Sequence, residues 1–412
     1  MRNARFTTLL SAIAGATLSV PASAQQDPEA TIAPLPIAFD HSGMSGPGAA
    51  PIEKAMANSQ FVILGEDHGY ADSPRLLAAL AGEGKPLGFD HYVVEVGPIE
   101  TQWVSAQLKQ GIDSYGDALG GRPLAVPFLN LREEAEAARP FAIGGKLLGI
   151  DQEFIGSTLI HLERLIAEAP SAGARAAAGI WLEKEREAFA TGNQGGVMMM
   201  AATPDDWKAL GALYSGNGDH SALIDAMAKS ASVYRHYLSG RGLDNNLDRV
   251  AMIREYFLSH YREIEHGSDG PPKFLFKMGA THAGHATSSM NTFDIGSLIE
   301  GMAAANGMDA LHIAYLPLEG SAIAMQPSKD GFFSEKKTDA KDLRAMLVSA
   351  GVDLSVIDKG SGHFVIDLEP VRRALQNKGL GALDRMTRFV VLGFDYLVTT
   401  NEGRPATPLA TN

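Results

Sequence analysis

The run Gln60-Phe61-Val62-Ile63-Leu64 ends on Gly65-Glu66-Asp67-His68-Gly69, and this junction constrains the chain more than any other feature. A short apolar, β-branched stretch that stops at glycine suits a strand buried on both faces of a parallel sheet. A helical stretch follows over 74–82, and the alternation recurs: strand 91–95 and helix 99–109, then strand 146–150 and helix 157–168. Repeated strand–helix units imply right-handed βαβ crossovers, so the fold class is α/β with a mostly parallel central sheet flanked by helices. Residues 172–266 turn almost wholly helical, which predicts a helical insert capping the carboxyl ends of the strands. Strands are expected again at 273–277, 311–315, 354–358, 363–367 and 389–392.

The 412 residues are 45% apolar and 20% charged, a balance that suits a folded domain rather than a disordered chain. We expect one domain over 59–400, preceded by a tether at 25–58 with a short helix at its end, and followed by a tail at 401–412. A net charge of −13 would repel a phosphate backbone, which argues against nucleic acid as a partner. With no cysteine, thiol nucleophiles, iron–sulfur clusters and Cys-based zinc sites are excluded. Neither GxxxxGK[ST] nor GxGxxG occurs, so ATP and dinucleotide cofactors have no support. Residues 1–24 carry Arg2 and Arg5, an apolar stretch too short to span a bilayer, and Ala22-Ser23-Ala24. This pattern predicts a signal peptide cleaved after Ala24 and a periplasmic or secreted protein with no integral membrane span.

The polar residues fall at the carboxyl ends of the expected strands. Glu66 and His68 follow the first, Glu95 closes the second, Asp151 closes the third, and His282 and His285 lie just beyond the strand at 273–277. Open α/β sheets bind ligands in the crevice outside those ends, so these residues share one candidate rim for a small-molecule substrate. A carboxylate near an imidazole orients it and stabilises its protonated form, which makes His68 a general-base candidate and Glu66 its partner; a helix-capping His68 is the plainer alternative. Glu95 stands among Val93, Val94 and Val96, and a carboxylate there must be functional or ion-paired to an Arg. Asp151 reads equally as a substrate ligand or as a turn residue. The i, i+3 spacing of His282 and His285 would put both rings on one helix face, where they could share a metal or a substrate oxyanion. No GxSxG elbow follows a strand, which demotes a serine triad. Arg75 and Arg249 could pair with the acids or with a substrate carboxylate, Arg249 reading equally as a plain surface charge. Asp67 and Asp72 beside His68 leave room for a divalent ion.

Leu64-Gly65-Glu66-Asp67-His68-Gly69 resembles the signature of the erythromycin esterase-like superfamily, which also groups ChaN-like haem-binding proteins and Tiki-type proteases. Val94-Glu95, Asp248-Arg249-Val250-Ala251-Met252 and Thr281-His282-Ala283-Gly284-His285 resemble further landmarks of that superfamily, in its order. The resemblance implies a hydrolase in which His68 activates a water that opens an ester or lactone without a bound metal. Glu66 and Glu95 would support the base, and His282 and His285 would bind or polarise the carbonyl. The single residue between Glu66 and His68 is the spacing of ChaN-like members, which implies as the alternative a haem- or metal-binding protein without turnover, or a metal-dependent hydrolase of the Tiki type. The leader is checked directly: mass spectrometry of the native protein should find Gln25 as its first residue, and an intact Met1 would overturn the assignment.

Overall fold

A computed structural model describes residues 31–122, 124–328, 331–376 and 379–410, so the expected leader at 1–24 lies outside the described residues. Eleven strands form among them: β1 (Leu35–Asp40), β2 (Gly43–Ser45), β3 (Ser59–Glu66), β4 (Phe89–Val94), β5 (Leu147–Gly149), β6 (Lys273–Gly279), β7 (Asp309–Tyr315), β8 (Ser321–Ser328), β9 (Gly331–Lys337), β10 (His363–Asp367) and β11 (Tyr396–Thr399). Nine of them make one sheet in the order β2-β1-β10-β11-β7-β3-β6-β4-β5, while β8 and β9 pair as a separate hairpin. From β11 to β5 every pairing is parallel, and β10, β1 and β2 extend one edge antiparallel.

β3 is buried along its whole length, as its unbroken apolar run requires in a sheet covered on both faces. Val62 and Leu64 belong to the core on one face with the helix Asp72–Gly84, and Phe61 and Ile63 to the core on the other with the helix Ile295–Ala305. The helices that follow the neighbouring strands β3 and β6 therefore lie on opposite faces. This divergence opens a crevice at their carboxyl ends.

Residues 172–266 are helical, as expected, and the longest helices there are Ala172–Thr191, Gly218–Leu238 and Gly242–Glu265. Met198 and Met199 sit with Leu210, Tyr214 and Leu223 in the insert's own core. The last of these helices docks on the sheet through Phe257 and Tyr261, which pack against Phe61 and Phe274. A little over two turns earlier on the same helix, that docking carries Arg249 to the rim. Among the described residues, no helix is long and apolar enough to cross a membrane.

Four local expectations change. Residues 35–45, taken as part of a tether, form β1 and β2, because β1 hydrogen-bonds to the otherwise open edge of β10. The stretch 354–358 is mostly the short helix Ser355–Lys359, begun by the Asp353 carboxylate accepting from the Ser355 amide. The apolar run 389–392 lies in the helix Arg385–Gly393, where Asp384 caps the Met386 and Thr387 amides. A short apolar run does not distinguish a buried helix from a buried strand. The described part of the tail, 401–410, crosses the loop after β3, with the Ala71 amide donating to the Arg404 carbonyl and the Ala406 amide to that of Gly69.

Gly69 therefore holds three segments together. Its carbonyl accepts from both Ala406 and Ile323 of the β8–β9 hairpin, its φ is +93°, and a Cβ there would lie 1.9 Å from the Ile323 carbonyl oxygen. Gly69→Ala should lower stability by about 1–3 kcal/mol from the backbone conformation alone, with the displaced hairpin adding to it. A denaturant midpoint unchanged from the native protein would contradict this reading.

Candidate active site

Four adjacent parallel strands deliver the charges of the rim. Glu66 is the last residue of β3, Lys277 lies near the end of β6, Glu95 follows β4, and Asp151 lies two residues beyond β5. The register pairs Glu66 with Gly279 and Val94 with Lys277, so these side chains start within a few ångströms of one another.

His68 sits where the strand ends open. Its Nδ1 lies 2.8 Å from Glu66 Oε1 and its Nε2 lies 3.5 Å from Glu95 Oε2. The ring lies flat on Phe128, with centroids 3.8 Å apart and planes 14° from parallel. Phe128 holds a positive φ of 59°, a conformation that bulky residues rarely adopt. Gly279 keeps the other approach clear, since a Cβ there would stand 2.9 Å from His68 Nε2 and 3.3 Å from Glu95 Oε2. The imidazole is thus fixed in plane and register while 31% of its side chain remains open. Burial favours the neutral ring, but the hydrogen bond to Glu66 and the charges of Glu95 and Glu66 outweigh it and raise the pKa of His68.

Each carboxylate of the rim has cationic or hydrogen-bonding partners. Glu66 accepts from Lys277 and from the Ser73 hydroxyl, and Lys277 also donates to Glu134 Oε1 at 2.5 Å. Burial of Glu134, opposed by Lys277 and assisted by Glu66, pushes its carboxyl up to about 7. Glu95 accepts from Arg249 at 2.7 Å and from the Gly279 amide at 2.5 Å. His282 Nε2 lies 3.5 Å from Glu95 Oε1, and its Nδ1 lies 2.8 Å from Asp294 Oδ2. Asp151 holds Arg249 through both of its carboxylate oxygens. Burial opposes ionisation of Glu95, yet His282, His68 and Arg249 lower its pKa to about 2.

A cavity of about 870 Å³ opens over these groups. Glu66, His68, Glu95, Arg249 and His282 line it, as does the exposed Asp67. The β8–β9 hairpin forms part of its wall with Ala322, Ile323 and Met325, facing Phe128 and Leu131. From the helical insert, Arg249 is among the lining residues.

The structure thus gathers His68, Glu66, Glu95, His282 and Arg249, with Asp151 behind Arg249 rather than in the cavity wall. Two expected members stand elsewhere. His285 does not join His282, because Gly284 takes up extended backbone after the one-turn helix Ala280–Ala283 and breaks the helical spacing. Its ring packs instead edge-on against His312. Arg75 pairs with Asp72 on a half-exposed helix face and is not among the lining residues. Asp72 does not face Asp67 as one half of an ion site; it is buried against Arg404 of the C-terminal segment. Sequence reasoning missed Lys277, Glu134, Ser73, Phe128 and Asp294. Of these, Lys277 carried a signal, since a lysine in an apolar central strand must find a buried partner.

A scan against protein-family models finds no match, and neither does a search of the curated proteins. Solved structures do match. An erythromycin esterase mutant, EreC in its open conformation, superposes at TM-score 0.53 with 13% identity, over 86% of this chain and 93% of that one. A succinoglycan biosynthesis protein superposes at 0.52 with 12% identity, over 87% and 91%. A protein from Bacillus cereus does so at 0.50 with 15% identity, over 87% and 92%. The chain shares the overall fold of an erythromycin esterase, which agrees with the architecture expected from its sequence.

The depressed pKa of Glu95 has a measurable consequence. A carboxyl whose pKa falls from 4.5 to about 2 on folding contributes stability that is fully present above pH 4.5 and is lost as pH falls toward 2. Denaturant midpoints followed from neutral pH into acid should therefore fall more steeply for the native protein than for Glu95→Gln. Parallel acid limbs would contradict the assignment.

Proposed function

We infer that this chain is a hydrolase of the erythromycin esterase-like superfamily that opens an ester or lactone by attack of a water activated by His68. The observation that carries the reading is the setting of His68: Nδ1 engaged by Glu66, the ring flat on Phe128, and an open edge on a cavity of about 870 Å³. That volume lies within the range of small-molecule sites, and the β8 part of the wall is apolar.

In the neutral ring Nδ1–H donates to Glu66, which leaves the Nε2 lone pair to take the proton of a water. As that water attacks the substrate carbonyl carbon, the imidazolium that forms is stabilised by Glu66 and Glu95. Arg249 and His282 line the same cavity and supply donors for the developing oxyanion. Collapse of the tetrahedral intermediate expels the alkoxide, which takes the proton back from His68. Asp151 and Asp294 act one step removed, orienting Arg249 and His282. The proposal includes export, with residues 1–24 removed, on the strength of Arg2, Arg5 and Ala22-Ser23-Ala24.

A panel of chromogenic esters and macrolide lactones, assayed with and without a chelator, tests the reading. On any substrate turned over, His68→Ala should lower kcat by about 10²-fold or more while Tm stays nearly constant. Activity should be lost on acidification, because a protonated imidazole cannot accept a proton. The midpoint should lie above the ordinary 6.5 of histidine and should move down in Glu66→Gln, which removes a cause of the upward shift. Near-native turnover by His68→Ala would overturn the mechanism.

A further inference from the structure

On the face of the sheet opposite Lys277, His312 and His285 lie side by side beneath the segment that carries His282. His312 is fully buried in the middle of β7, and Glu300 reaches over it from the helix Ile295–Ala305. The Nδ1 of His312 lies 2.7 Å from the Ala283 carbonyl, which can only accept, so Nδ1 carries a proton and in the neutral ring Nε2 presents a lone pair. That Nε2 faces the Glu300 carboxylate, and the buried Nδ1 of His285 has no hydrogen-bond partner. The His285 amide donates to the Gly393 carbonyl at 3.0 Å, and burial together with His312 lowers the pKa of its ring, which favours the neutral form. Glu300 Oε2 lies 3.3 Å from His312 Nε2. One donor atom from each of the three residues lies within 4.8 Å of the other two.

The unpartnered Nδ1 of His285, the Nε2 of His312 and the carboxylate it faces, with the His312 ring anchored by the Ala283 carbonyl, form the donor set of a divalent transition ion. A tetrahedral zinc with bonds of ~2.0–2.1 Å spaces its donors roughly 3.3–3.4 Å apart, the separation His312 and Glu300 already have. The half-exposed Glu300 leaves a fourth position open to solvent. We propose that His285, Glu300 and His312 form a structural site for a zinc-type divalent ion, separate from the hydrolytic rim. Such an ion would join β7, the segment after β6 and the helix Ile295–Ala305. Asp294, which caps that helix and holds His282, would be steadied with it.

The full-length protein, stripped by chelator and titrated with Zn²⁺ or Co²⁺, tests this independently of any hydrolysis. One equivalent should bind by calorimetry, Co²⁺ should show the intense visible absorption of a four-coordinate site, and Zn²⁺ should raise Tm. Glu300→Ala at the surface and His285→Ala should each weaken binding at least tenfold, whereas Asp67→Asn at the rim should leave it unchanged. The proposal fails if no stoichiometric binding is found, or if the stoichiometric binding survives both Glu300→Ala and His285→Ala.

Discussion

The architecture of the rim depends on balancing buried charge. Glu66, Glu95, Asp151, Lys277, Glu134 and His282 are all nearly inaccessible, and an isolated charge in such a place would cost several kcal/mol. They are tolerated because each acid meets a basic side chain. From Asp294 through His282, Glu95, His68, Glu66 and Lys277 to Glu134, acidic and basic side chains alternate along one chain of contacts. Glu66 and Glu95 each keep a second cation, Lys277 and Arg249, so the side chains hold their positions without help from substrate. Preorganisation of this kind is what an electrostatic site needs, since its dipoles then require no reorganisation during reaction.

The network also explains the packing around it. Gly279 must lack a side chain because His68 and Glu95 occupy the volume that a Cβ would fill. Phe128 accepts a strained backbone so that its ring can cover the imidazole, and strain of this kind persists only where the surroundings over-determine it. The wall of the cavity comes from elements late in the chain, above all the β8–β9 hairpin. Base and wall meet at Gly69, one residue from His68, so whatever displaces the hairpin reaches the imidazole directly.

Much of this was legible in the amino-acid sequence. The apolar runs that became β3, β4, β6 and β7 could be placed because a doubly covered parallel strand must be apolar on both sides. The polar residues after them could be assigned to one rim because parallel strands end on the same side. The helix Arg385–Gly393 resisted the same logic, since Phe389, Val390 and Val391 are buried in succession and an apolar run of that length fits either conformation. β1 and β2 resisted it for another reason, as edge strands take their conformation from the partner they meet.

The sequence by itself therefore determined the layered α/β arrangement and marked Glu66, His68, Glu95 and His282 as candidates at the strand ends, because strand periodicity and the cost of burying a lone charge are local arguments; it left Arg249 open between a partner for the acids and a plain surface charge. Only the tertiary structure decided which charges pair. Arg249 finds Asp151 and Glu95 through the docking of a helix far along the chain, and Lys277 finds Glu134 from a separate helix. It also separated His285 from His282, since one extended residue at Gly284 turns the two rings apart and spacing in sequence says nothing of that turn. Pairings between residues so far apart in the chain are set by the packing of whole elements, and no local pattern records where those elements will meet.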